Sequence, residues 1–73
     1  MEYFFYKWGD RFIQVSRDSR GVISSTFYDS EERKWVQSRI LHTEMKKSDR
    51  SEIKRYKSQW LWALDFARHL QVE

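Results

Sequence analysis

Apolar and polar residues alternate along the first third of the chain with the period of two that a pleated strand requires. Residues 3–8 read YFFYKW and residues 11–17 read RFIQVSR, both rich in the aromatic and β-branched types that favour strands. Gly9 and Asp10 lie between them. A two-residue loop with glycine first predicts a type II′ hairpin, because glycine accepts the positive φ which that turn imposes. Pairing Trp8 with Arg11 then sets Tyr6 opposite Ile13 and Phe4 opposite Val15, all on one face. The next turn runs from Asp18 to Gly21, with aspartate first and glycine last, as a type I turn closed by a glycine bulge prefers. It predicts a strand over 22–28, with Val15 opposite Ser25, Ile13 opposite Phe27 and Arg17 opposite Ile23. Ile23, Ser25 and Phe27 extend the same apolar face.

Residues 30–42 admit two assignments. Asp29 and Glu32 have capping-box spacing and could open a helix. On a helix, however, Trp35, Val36, Ile40, Leu41 and Met45 scatter around the axis. A strand over 35–41 is preferred, with Val36 and Ile40 inward; the other register turns Trp35 and Leu41 inward. From Asp49 and Glu52, a second capping-box pair, nothing breaks a helix as far as Gln71. Ile53, Tyr56, Trp60, Ala63, Leu64, Ala67 and Leu70 recur at spacings of three and four along one face. The expected fold is therefore α+β: an antiparallel meander of three to four strands, with one long C-terminal helix packed on one sheet face. Residues 1–73 are expected to form a single small domain.

Composition changes this picture in one respect. Of 73 residues, 18% are aromatic, more than the inner face of so small a sheet needs. On the expected outer face lie Tyr3, Phe5, Phe12 and Tyr28. Trp62 and Phe66 fall off the apolar stripe of the helix, Trp62 beside Arg55 and Asp65. Aromatic surface with few charges beside it has the composition of a protein interface. These six residues are the candidate interaction site of a small non-enzymatic module that binds itself or another protein. Cysteine and proline are both absent, so stability must come from packing, and association would add to it.

Charge supplies the alternative. Fourteen Lys and Arg against eleven Asp and Glu leave a net charge of +3. The cations are concentrated in Lys46, Lys47, Arg50, Lys54 and Arg55, which would hold phosphates while the sheet aromatics stack bases. The expected fold places these two sets on opposite sides, which ranks nucleic-acid binding second. The glycine–aromatic signature of sheet-platform RNA binders is missing.

Catalytic chemistry has little to stand on. Gly9 and Gly21 are explained by turns, so no phosphate loop remains. His42 and His69 are the only histidines, too few for a metal set without cysteine, and no serine has an activating neighbourhood. No enzyme activity, cofactor or metal is expected. The amino terminus has no basic segment leading into an apolar run, and no stretch approaches the roughly 18 apolar residues of a membrane span. The expectation is a cytoplasmic protein with no membrane partner.

Overall fold

The computed structural model describes residues 1–71. Five antiparallel strands form one sheet: β1 (Glu2–Trp8), β2 (Arg11–Arg17), β3 (Ile23–Asp29), β4 (Lys34–Ser38) and β5 (Ile53–Tyr56). Their order across the sheet is β4-β3-β2-β1-β5. Helix α1 (Leu41–Lys47) connects β4 to β5 through a short 3-10 turn (Arg50–Glu52), and α2 (Gln59–Gln71) comes last.

The first two hairpins have the register that turn chemistry predicts. Trp8 pairs with Arg11, Tyr6 with Ile13 and Phe4 with Val15; Ile13 pairs with Phe27 and Val15 with Ser25. Gly9 has φ +59° and Gly21 φ +84°, values that a side chain at either position would strain. Asp18 closes the second turn: its carbonyl accepts the Gly21 N–H at 3.0 Å, and its Oδ1 accepts from the N–H groups of Arg20 and Val22.

The fourth strand is shorter than expected. It ends at Ser38, with Val36 opposite Phe27. Ile40 does not point inward but caps α1 and stands 62% exposed. Leu41 and Met45, four apart and so on one helical face, are both buried beneath α1. Asp29, whose spacing to Glu32 suggests a helix, instead caps a loop by accepting from the N–H groups of Glu31 and Glu32.

The helix expected over 49–71 is three elements. Asp49 does cap, accepting from Ser51 N–H at 3.0 Å, but it opens only a 3-10 turn. Residues 53–56 then pair with β1, Phe5 opposite Tyr56 and Trp8 opposite Ile53. β1 would otherwise be an unpaired edge, and this pairing covers it. The helix proper begins after Ser58, whose Oγ accepts from Leu61 N–H at 3.3 Å.

The largest correction concerns the faces. α1 lies over Ile13 and Val15, with Phe4, Tyr6 and Phe27 packed around them. α2 lies on the opposite face, over Phe5, Phe12 and Tyr56. The sheet is covered on both sides, each by its own helix. α2 also docks in the opposite phase from the one its apolar stripe suggests. Trp62 is 6% exposed and Trp60 is 70% exposed. In this phase Trp62 and Phe66 pack their rings against Phe5 and Phe12, and the indole N–H of Trp62 reaches the Tyr6 carbonyl.

This inversion has a direct test in urea denaturation. Trp62→Ala is expected to lose about 3–5 kcal/mol of folding stability, as truncation of a buried aromatic does. Trp60→Ala should stay within about 0.5 kcal/mol, as an exposed substitution does.

Candidate functional site

Of the six aromatics expected to form an interaction surface, the structure encloses three. Phe5, Phe12 and Trp62 belong to the core, Phe12 at 1% exposure. Tyr28 and Phe66 are half-buried, their ring centroids 5.0 Å apart and perpendicular enough for an edge contact. Tyr3 alone stays open, at 51%. A bare outer face would exist only if the sheet had one helix; the second helix covers it. Trp62 sits at the centre of the cluster: its centroid is 5.2 Å from Phe5, 6.3 Å from Phe12 and 5.7 Å from Trp35. Its Nε1–H donates to the Tyr6 carbonyl at 3.1 Å, so the one polar atom of the indole is satisfied.

The residues that α2 does present are those of its other face. Trp60, Leu61 and Leu70 are exposed, with Ala63 and Ala67 between them and Leu64 half-buried. The spacing 60, 63, 64, 67, 70 makes one continuous row on the helix. The row is visible in the sequence; its exposure is not. A lone exposed apolar side chain is ordinary on a protein surface, but a row headed by tryptophan is the composition of an interface core.

Strand alternation divides the basic stretch. In β5 neighbouring side chains point to opposite faces. Lys54 turns to the α2 side, where its Nζ lies 3.4 Å from Asp65 Oδ2, and Arg68 Nη1 approaches the same carboxylate at 3.7 Å. Arg55 turns to the α1 side and lines a shallow cleft with Lys46, Arg50 and Tyr6. Lys47 is exposed at the end of α1 and borders neither hollow on that face. Sequence reasoning missed Tyr6, Arg17 and His42 as neighbours of these cations; only the crossing of α1 over the sheet brings them together. His42 Nδ1 is enclosed without a hydrogen-bond partner.

Asp65 also accepts the hydroxyl of Tyr56 at 2.8 Å. Burial, then this carboxylate, push the Tyr56 phenol up to about 12. The same hydrogen bond, with Lys54 and Arg68 adding, holds Asp65 below its ordinary range. The group ties α2 to β5. Among the described residues no set of three metal-ligating side chains converges, and no helix is long and apolar enough to cross a membrane.

No protein-family model, curated protein or solved structure matches this chain.

The Tyr56–Asp65 contact predicts the alkaline limb of stability. A phenol whose pKa is raised on folding adds stability that is complete below the unfolded value near 10 and declines as pH rises from there to about 12. The urea midpoint is expected to fall over that interval. Ultraviolet titration should show one tyrosine ionising at about 12, and Tyr56→Phe should abolish that step.

Proposed function

We propose that this protein is a small interaction module whose docking element is the outer face of α2, and that its partner is a second copy of the same chain. The observation that carries this reading is the double-faced helix. One apolar face, with Trp62 and Phe66, is used up on the sheet, while Trp60 stands 70% exposed at the head of a second. The exposed aromatic surface expected of the chain thus has a different address, Trp60 in place of Trp62.

A second copy is favoured by the row's size pattern. In an antiparallel helix pair centred between residues 63 and 64, Trp60 of one copy meets Ala67 of the other, and Leu64 meets Ala63. Large opposes small at these two levels, Leu70 falls opposite Lys57 at the ends, and the same patch serves both partners, as a two-fold interface requires. The five positions carry no charge, so self-association brings no like charges together within the row. Small residues also let two helices approach to the near end of the usual 8–10 Å separation.

The expected affinity is modest. Thirteen residues make a helix about 20 Å long, and one such helix pair falls below the roughly 800 Å² per partner of a standard interface. Such an interface implies a dimer that dissociates in the micromolar range.

Sedimentation equilibrium across about 1–100 μM protein should show the mass rising from the 9.1 kDa monomer towards twice that value. Trp60→Glu should remain monomeric throughout while retaining the native circular dichroism spectrum. A wild-type chain that stays monomeric over this range would refute self-docking. A dimer indifferent to Trp60→Glu would place the interface elsewhere.

A further inference from the structure

The α1 face of the sheet carries a separate feature that dimerisation through α2 leaves untouched. Two hollows lie side by side there. One, of about 170 Å³, includes Phe4, Arg17, His42 and Lys46 in its wall. The other, of about 590 Å³, includes Arg50, Ile53 and Arg55. Tyr6, Met45 and Lys46 line both, so the two hollows adjoin there and together make up the cleft of this face.

Four cations from four different elements converge on this cleft: Arg17 from β2, Lys46 from α1, Arg50 from the 3-10 turn and Arg55 from β5. No carboxylate lines either hollow among the described residues. Arg17 is paired with Glu2 at the rim. Lys46, Arg50 and Arg55 have no ion pair with any described residue. The contrast is with the α2 side, where Lys54 and Arg68 share Asp65. Like charges gathered in a cleft repel one another, and an anion that enters relieves that repulsion.

The cleft also offers flat surfaces. The guanidinium groups of Arg17 and Arg55 lie 6.0 and 5.6 Å from the Phe4 ring centroid, within cation–π reach of the same ring. Tyr6 is half-buried, and its ring stacks on no other aromatic among the described residues. A ring that stacks on no other aromatic, among cations that line the same hollows, is what an unpaired base with flanking phosphates requires. A base-paired duplex hides its ring faces and would leave Tyr6 unused.

We infer that this cleft binds single-stranded nucleic acid, with Tyr6 stacking on a base while Arg17, Lys46, Arg50 and Arg55 hold successive phosphates. The proposal uses three cations of the basic stretch, Lys46, Arg50 and Arg55, and excludes Lys54, which strand alternation sends to the far side. It pairs those cations with an aromatic surface other than Tyr3, Phe5, Phe12 and Tyr28.

Fluorescence anisotropy with a labelled oligothymidylate of about 15 nucleotides, a length comparable to known single-strand site sizes, tests it. Four phosphate contacts predict that log K falls with log[salt] at a slope of about −2 to −3. Arg55→Glu and Arg50→Glu should each weaken binding at least about ten-fold, and Tyr6→Leu at least about five-fold. Lys57→Glu makes the same charge change outside the cleft and should alter affinity by less than about two-fold. Trp60→Glu should bind as the wild type does, so loss of dimerisation and loss of nucleic-acid binding are told apart. Circular dichroism and urea midpoints confirm that each variant is folded. The proposal fails if the oligonucleotide does not bind at about 50 mM salt. It fails equally if Lys57→Glu weakens binding as much as Arg55→Glu does. Inorganic polyphosphate or phosphatidylserine vesicles binding as tightly, with Tyr6→Leu without effect, would show a phosphate site that reads no base and would also overturn it.

Discussion

Trp62 is the residue on which the arrangement of this molecule depends. Its indole lies over Phe5 and Phe12 and against Trp35, and its N–H donates to a backbone carbonyl of the strand beneath. A hydrogen bond from a nearly buried donor allows little rotation, because turning the helix would leave that donor unpaired in an apolar setting. The phase of α2 is thereby set. Once Trp62 and Phe66 face the sheet, Trp60 and Leu64 must face away, since residues two apart on a helix point in nearly opposite directions.

The same constraint accounts for the aromatic content. A sheet whose central strands carry large apolar side chains on both faces cannot be finished by one helix. β2 shows this most plainly: Phe12 is enclosed on one side, Ile13 and Val15 on the other. The chain answers with two helices of unequal reach. α1 contributes Leu41 and Met45 over the aliphatic face, and α2 contributes rings over the aromatic one. The short α1 does not extend over the whole of its face, and the uncovered part is the cleft around Tyr6.

Charge is sorted by the same geometry. β5 joins the sheet beside β1, and its alternation turns Lys54 towards Asp65 and Arg55 towards the cleft. On one side the cations are neutralised and Tyr56 is locked to α2. On the other, Arg17 pairs with Glu2, while Lys46, Arg50 and Arg55 have no acidic partner among the described residues. The free edge of β5 carries Lys54, Arg55 and Lys57 in or next to it, a composition that discourages pairing of one sheet edge with another. The association proposed for α2 would therefore not compete with edge-to-edge growth of the sheet.

Much of the sheet is legible in the amino-acid sequence because it is decided by near neighbours. Gly9, Asp18 and Gly21 choose turns a few residues long, and those turns dictate which side chains oppose one another from β1 to β3. Asp49 is legible as a cap as well, but its capping bond is equally good for a single 3-10 turn as for a long helix. The extended conformation of residues 53–56 depends on β1, at the far end of the chain, through the Phe5–Tyr56 pairing. The candidate surfaces are hidden for the same reason. The row from Trp60 to Leu70 is evident as a pattern, yet a helix with two apolar faces does not reveal which one is buried. That choice belongs to the surface it meets, through a hydrogen bond between residues 56 positions apart. Local turn chemistry determined the strand register; only the assembled sheet, by the shape of its aromatic face, decided which tryptophan is buried and which is presented.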